Sequence, residues 1–248
     1  MRLDQFLVQN KNIQSRTKAQ ELIEKGHVQV NGQIILKSSW STNATDQVEI
    51  LDNELLKFVS RAGLKLESAI KHLGLNIENK VVLDIGQSTG GFTDCCLQYG
   101  AAKVVGFDVG EQQLHSELLK NSKIQYFEKL NVKSALDHPE FKKSVPAAGF
   151  DLVVCDVSFI SLSHCAEFIK QVLAAGGYYL LLVKPQFECG EKNLDKNGIV
   201  KNPLIYQEVQ EKITDIYQRQ VGRCIDYFES ALPGRDGNRE FFIYGQKS

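Results

Sequence analysis

Residues 83–94 read LDIGQSTGGFTD. Upstream, Val81 and Val82 extend Leu83 and Ile85 into a continuous apolar run, VVLDIG, of the kind expected for a strand buried on both faces. Downstream, FTDCCLQYG (92–100) has the composition of a short helix. Gly86, Gly90 and Gly91 lie between the two, where they allow a tight turn and a close backbone approach to a ligand. The same alternation continues along the chain. Strands are predicted at KVVGFDVG (103–110), IQYFE (124–128), FDLVVCDVSF (150–159) and YYLLLVK (178–184). Helices are predicted around 112–120, over SLSHCAEFIKQVLAAGG (161–177) and over 203–219, and two last strands at CIDYFESA (224–231) and REFFIYG (239–245). Apolar strands alternating with helices imply an α/β, Rossmann-like domain with a mostly parallel sheet covered on both faces.

In such a domain Asp108, 22 residues beyond Gly86 at the end of the next strand, is placed to accept hydrogen bonds from a ribose diol, which suits any adenosine cofactor. Two details bear on which one. A dinucleotide fingerprint has a second glycine where this chain has Ser88. Asp84, two residues before the first glycine, would repel a pyrophosphate and attract the ammonium or sulfonium of S-adenosylmethionine (SAM). Two unit charges ~4 Å apart interact by ~4 kcal/mol at an effective dielectric of 20, enough to select a ligand by sign. These residues favour SAM over a nicotinamide dinucleotide; a loop that binds nothing is the third reading.

The strand 178–184 ends on a charge, Lys184, followed by Pro185. The preceding strand ends on Asp156. Both would stand at the carboxyl edge of the sheet, where open α/β folds bind ligands; a plain structural ion pair is the competing reading. The turn Asp156-Val157-Ser158-Phe159 lacks the paired prolines common in methylation of base nitrogens, and Cys155 would point to the other strand face from Asp156. Methylation of a ribose hydroxyl needs a group to receive its proton. A lysine can do this only when neutral, a form favoured by burial and by a second cation nearby. Lys65, in the helical stretch SRAGLKLES (60–68), is the candidate second cation.

The first 50 residues differ in kind. Leu3, Phe6 and Leu7 share one helical face, as do Ala19, Leu22 and Ile23 in SRTKAQELIEK (15–25), with Ser15 as N-cap and Gly26 just past the end. HVQVNGQII then carries Asn31-Gly32, a strong hairpin signal, and DQVEIL adds a strand near residue 51. The expected unit is a small α+β domain over residues 1–60, linker included, with the α/β domain over 61–248. Six Lys/Arg against five Asp/Glu over residues 1–50 make the balance too even for charge alone to identify nucleic acid. The order RLDQFL, SRTKAQELIEKGHVQVNG, then Lys37, however, resembles the RNA-binding module named after ribosomal protein S-four. That resemblance implies phosphate contacts at Arg2, Arg16, Lys18 and Lys37, of the kind that position a protein rather than read sequence. Ser38 stands where that module often has proline.

The totals exclude several classes. The net charge of -1 leaves any basic surface local. Six scattered cysteines without a C-x-x-C pair read as reduced residues of a cytoplasmic protein that needs no metal. No stretch approaches the ~20 apolar residues of a membrane span, and the N-terminus lacks a signal-peptide core.

SRAGLKL, LDIGQSTGGFTD, CDVSFISL, LLVKPQFE and GNREFF occur in this order. With the N-terminal module they resemble the TlyA (hemolysin A-like) family, whose methyltransferase domain is of the FtsJ type and of the class I SAM-dependent fold. The resemblance implies SAM-dependent 2′-O-methylation of cytidine in ribosomal RNA, with ribosomal RNA or ribosomal subunits as partners and no membrane or metal. It implies a catalytic set at Lys65, Asp156, Lys184 and Glu240: Lys184 as general base, Lys65 favouring its neutral form, Asp156 and Glu240 positioning the lysines. It further implies that Asp84, Gly86, Ser88, Gly90, Gly91, Phe92, Thr93, Asp108, Val109 and Asp156 surround the cofactor, that Asn131 and Val132 border its adenine, and that Arg61 and Lys133 touch RNA. Gln87 and Ala62 depart from the family's usual alanine and glycine. A non-catalytic ribosome-assembly factor and a membrane-active hemolysin are the rival functions.

Overall fold

A computed structural model describes residues 1–11, 13, 15–43, 45–51, 57–234 and 236–248. It divides into two compact units, Met1–Arg61 and Ala62–Ser248; residues 52–56, inside the expected linker, lie outside the described set.

The first unit packs helices α1 (Leu3–Asn10) and α2 (Arg16–Glu24) with a three-stranded sheet of β1 (Val28–Val30), β2 (Gln33–Ile34) and β3 (Val48–Ile50), ordered β2-β1-β3. The local signals act as expected. Ser15 accepts a hydrogen bond from the Lys18 amide at 3.2 Å and caps α2. Gly26 leaves that helix at φ +75°, and Asn31 (φ +51°) and Gly32 (φ +80°) supply the two left-handed residues of the hairpin turn. Leu3, Leu7, Ala19, Leu22, Ile23, Val28, Val30 and Val48 are among its buried residues, drawn from both helices, β1 and β3.

In the second unit α3 (Arg61–Leu73) leads into β4 (Val81–Ile85), α4 (Gly91–Gln98), β5 (Lys103–Phe107), β6 (Ile124–Phe127), α5 (Pro139–Ser144), β7 (Phe150–Cys155), α6 (Ala166–Val172), β8 (Leu173–Val183), α7 (Pro185–Glu188), α8 (Leu204–Gln220), β9 (Gly222–Glu229) and β10 (Phe241–Lys247). The seven strands run β6-β5-β4-β7-β8-β10-β9, all parallel except β10. Strand order reverses between β4 and β7. That reversal opens a crevice at the carboxyl ends of the strands, where doubly wound sheets take their ligands.

Two expected helices differ. The segment 112–120 forms only a single 3-10 turn, Leu118–Lys120. Its Leu114 and Leu118, four residues apart, cap the glycine loop: a Cβ on Gly90 would come within 2.7 Å and 2.4 Å of their Cδ1 atoms. The helix expected over 161–177 is a 3-10 turn, Leu162–His164, followed by α6, and its last residues already belong to β8. Leu173 pairs with Phe150, and a Cβ on Gly177 would meet the Ala174 and Phe150 carbonyl oxygens at 3.0 Å, so the two glycines admit a strand that starts close beneath its neighbour. The short helix α5 gave no apolar period to read; it starts from Pro139 at its first turn, with the His138 side chain as cap.

Candidate active site at the carboxyl edge of the sheet

Strand register assembles the site. In the β4–β7 pair Ile85 faces Cys155, which brings the next residues, Gly86 and Asp156, side by side. A Cβ on Gly86 would lie 2.7 Å from the Asp156 carbonyl oxygen, and its φ is +80°, so only glycine fits. In the antiparallel β8–β10 pair Val183 faces Phe241. One step further, Lys184 and Glu240 leave the sheet together.

Four charged side chains meet there as two ion pairs. Lys184 Nζ lies 2.6 Å from Asp156 Oδ1 and donates to Ser158 Oγ at 2.9 Å. Lys65, reaching in from α3, donates from Nζ to Glu240 Oε2 at 2.5 Å. Both members of the second pair are buried. Burial raises the Glu240 carboxyl above its ordinary value, against the opposing pull of Lys65 and then Lys184. The structure thus brings together all four residues expected from the resemblance. Glu240, expected to position a lysine, is the partner of Lys65, and that pairing offsets the charge that Lys65 was expected to bring to bear on Lys184.

On the other side of Gly86 is the cradle. Asp84 is fully buried; its Oδ2 accepts from Thr93 Oγ1 at 2.6 Å, Gln87 Nε2 donates to Thr93 Oγ1 at 2.8 Å, and Asp84 Oδ1 has no hydrogen-bond partner. Burial pushes the Asp84 carboxyl up to about 7, with the Thr93 hydrogen bond opposing and the negative charge of Asp156 adding to the rise. An orphaned carboxylate oxygen beside a loop that tolerates no Cβ fits a cationic ligand whose atoms approach the backbone. Asp108 Oδ2 accepts from the Ser88 amide at 2.9 Å and its Oδ1 from the Gly110 amide at 2.7 Å, so the acid expected at a ribose is aimed by backbone donors from both flanking loops. Ser88 (φ +45°) and Gly90 (φ +89°) bend the loop, and Gly91 begins α4.

Other expected cofactor residues stand differently. The Phe92 ring is buried and stacked on Phe242 at 6.4 Å, and the Thr93 hydroxyl is turned inward to Asp84, so neither side chain lines an open wall. Val109 is 67% exposed at the rim. Asn131 Oδ1 accepts the Lys133 amide at 3.0 Å, fixing the LNVKS turn, while Val132 is buried in the core beneath it. Lys133 is exposed.

In the first unit Arg2 and Arg16 converge on Asp4, at 3.0 Å and 2.8 Å from Oδ2, with Gln20 also donating to that oxygen. Arg2 and then the remaining donors hold the buried Asp4 carboxyl well below the usual carboxylate range. The two arginines are therefore aimed by a buried acid while their side chains remain about half exposed. Lys18 is buried with Nζ unpartnered, and burial lowers its pKa. Lys37 is exposed, and Arg61, half-buried, starts α3.

The sequence reading passed over Phe159. It is 91% exposed, at φ +64°, and its ring rests against Phe187 at a centroid distance of 5.1 Å, one residue beyond Ser158. A bulky residue in a left-handed conformation with a bare ring marks a functional position more than a packing one. The signal available was the aromatic that ends the DVSF turn, read there only for its missing prolines.

Comparison with known proteins decides the family. A profile described as FtsJ-like methyltransferase matches residues 58–247, and one described as S4 domain matches residues 1–48. The chain belongs to the FtsJ-like methyltransferases. It is a SAM-dependent enzyme, and the geometry of Asp84, the glycine loop and Asp108 fits residues that could hold the cofactor. This FtsJ-like protein is 37% identical to "Hemolysin A" of Brachyspira hyodysenteriae, over 98% of this chain and 99% of that one. It is 35% identical to the "23S rRNA (cytidine-2'-O)-methyltransferase TlyA" of Campylobacter jejuni, over 98% of each chain. It is 31% identical to the "16S/23S rRNA (cytidine-2'-O)-methyltransferase TlyA" of Mycobacterium tuberculosis, over 98% of this chain and 88% of that one. Among solved structures, a putative hemolysin from Streptococcus thermophilus superposes with a TM-score of 0.76 at 32% identity, covering 100% of this chain and 88% of that one. A "putative S-adenosylmethionine dependent methyltransferase" from Listeria monocytogenes, at 15% identity and a TM-score of 0.55 over 75% of this chain and 99% of that one, shares the fold. Among the described residues no helix is long and apolar enough to cross a membrane, and no cluster of His, Cys, Asp or Glu could hold a metal ion.

Proposed function

We propose that this methyltransferase acts on the 2′-hydroxyl of a cytidine ribose in ribosomal RNA, in the cytoplasm. The observation that carries the reading is the doubled ion pair at the cofactor edge. Asp156 borders the cradle through Gly86 and pairs with Lys184, so the acceptor hydroxyl and the methyl donor share one residue. When bound, SAM supplies a methyl group made electrophilic by its sulfonium. Lys184 receives the hydroxyl proton as the oxygen attacks, Asp156 holds the lysine at the strand end, and the Lys65–Glu240 pair fixes the far wall. Positioning of this kind, with proton transfer to a placed base, contributes most of the expected rate gain. The exposed Phe159 ring offers an apolar face on which an unstacked base can lie while its ribose enters the cleft. In the first unit Arg2, Arg16 and Lys37, with Arg61 at its end, hold the RNA backbone; Lys18, expected among these contacts, is buried and takes no part, and Lys133 is an exposed cation of the second unit.

The close Lys184–Asp156 pair supports a second assignment of the proton. Asp156 accepts it, and Lys184 remains an ammonium that stabilises the developing alkoxide. The two assignments differ in the limb of the pH–rate profile: a lysine base requires activity to rise through an amine titration, whereas a carboxylate base gives a plateau from weakly acidic pH upward.

Purified protein incubated with labelled SAM and ribosomal subunits, followed by nucleoside mass spectrometry, should yield 2′-O-methylcytidine. Methyl found on a base overturns the chemical assignment. Unmethylated subunits from a protein that still binds them would favour the assembly-factor role.

A further inference from the structure

We propose that Glu188 is a positioning residue for methyl transfer: it ties the loop that carries Ser158 and Phe159 to the turn that carries Lys184. The inference deepens the function proposed above and rests on it. Glu188 lies at the end of α7, four residues after Lys184, and is buried. Its Oε1 accepts the Leu162 amide at 2.7 Å, and its Oε2 accepts Ser161 Oγ at 2.6 Å and Lys212 Nζ at 3.2 Å. Lys212 also donates to the Glu188 carbonyl oxygen at 3.0 Å, and Tyr217 Oη donates to the Leu162 carbonyl at 2.9 Å. Through this carboxylate three elements that are distant in sequence share one anchor: the loop after β7, the turn after β8, and α8.

The geometry has a consequence at the reacting end. The loop 156–162 leaves β7 with Asp156 and Ser158 on Lys184, and places Phe159 outward in a left-handed conformation. Such a backbone is held only by what surrounds it. Phe187, adjacent to Glu188, props the Phe159 ring from one side, and Glu188 pins the loop at Ser161 and Leu162 from the other. The ring and the amine therefore belong to one hydrogen-bonded frame, and the distance between a stacked base and the Lys184 Nζ is fixed by it. A misplacement of about 1 Å at a reacting centre can cost on the order of a hundredfold in rate. A carboxylate suits this task because it accepts from an amide, a hydroxyl and an ammonium at once, charge-assisted in each case.

The test measures single-turnover methyl transfer to ribosomal subunits, SAM affinity by calorimetry and thermal unfolding for Glu188→Ala, Glu188→Gln, Ser161→Ala, Phe159→Ala, Lys184→Ala and the double variant Glu188→Ala/Phe159→Ala. Expected for Glu188→Ala is a ten- to hundredfold slower transfer with SAM affinity within about threefold of the parent. Glu188→Gln, which can still accept from the Leu162 amide, should recover much of the rate. In the Phe159→Ala background, removal of Glu188 should cost little further, because the ring it places is already gone. A full additional loss there, or a rate unaffected by Glu188→Ala, overturns the inference. Should Glu188→Ala fail to fold, Ser161→Ala removes one arm of the anchor, together with the Ser161 cap on the Ser163 amide, and should show a smaller loss of the same kind, with an unchanged rate counting against the proposal. Slowing by Lys184→Ala and Phe159→Ala without slowing by Glu188→Ala refutes the positioning role only. No slowing by any of the three refutes the functional reading as well.

Discussion

Asp84→Asn separates what the cradle costs the fold from what it does for the ligand. The Asp84 carboxyl is raised from an ordinary 3.8 to about 7, chiefly by burial. A group that holds its proton more tightly when folded contributes its full share of stability below its unfolded pKa and loses it as pH rises through the folded one. Between pH 4 and 8 the folded chain therefore gives up about 4 kcal/mol at this position. Asparagine keeps an oxygen to accept from Thr93 Oγ1, as Asp84 Oδ2 does at 2.6 Å, and carries no charge to bury. Its amide donors need acceptors, which offsets about 1–3 kcal/mol of the gain. In urea denaturation the variant should be about 0–2 kcal/mol less stable than the parent near pH 4.5, where the amide penalty is hardly offset, and exceed it by about 1–3 kcal/mol at pH 8.5. SAM affinity should move the opposite way: in the parent it strengthens as pH rises through 7, because ionised Asp84 attracts a cationic ligand, and in the variant it stays flat and weaker. A variant whose stability falls with pH as steeply as the parent's refutes the reasoning, since the slope then belongs to other groups.

Further outcomes follow from the same geometry. Lys184→Ala should slow methyl transfer by about 10²–10⁴-fold with little change in SAM affinity, read by filter counting of labelled subunits and by calorimetry. Gly86→Ala forces a Cβ to within 2.7 Å of the Asp156 carbonyl at a left-handed φ, so SAM binding should drop below detection and the melting temperature should fall. Lys37→Ala, on the exposed face of the first unit, should weaken RNA binding about equally for any sequence and reduce the slope of log affinity against log salt by about 1. Asn238 is buried, accepts the Val200 amide at 3.0 Å and donates to the Gly198 carbonyl at 2.9 Å, so Asn238→Ala should destabilise the chain by about 2–4 kcal/mol in urea and loosen the approach to Glu240.

The parts of this molecule readable from sequence are those set by short-range rules. Ser15, Gly26 and Asn31-Gly32 fix local backbone geometry whatever surrounds them, and the apolar runs of β4, β5, β7 and β8 could be little else than buried strands. The carboxyl-edge positions of Asp156 and Lys184 followed from where those runs stop. What sequence could not supply was partnership. Leu114 and Leu118 have helical spacing, and only the fold shows that they are needed over Gly90. Motif order put Glu240 among the acids that position the lysines, but only the fold shows that its partner is Lys65, 175 residues away. Phe92 and Thr93 sit in the right motif, but their side chains turn into the core, a choice made by Phe242 and Asp84.

That difference bears on how the charged cleft can work. A cluster of two lysines without carboxylates would repel itself and attract the RNA backbone indiscriminately. Two carboxylates without lysines would reject RNA. Paired as Lys184–Asp156 and Lys65–Glu240, the four groups nearly cancel at a distance and retain strong local fields at contact range, where a ribose hydroxyl would sit. On the proposed function, the long-range attraction for RNA falls to the first unit, where Arg2 and Arg16 are steered by one buried acid rather than neutralised by several. Binding and chemistry draw on separate sets of charges, so changing salt should alter the apparent KM for subunits steeply and the single-turnover rate at saturation little. Equal salt dependence of both would show that the cleft charges also carry the docking.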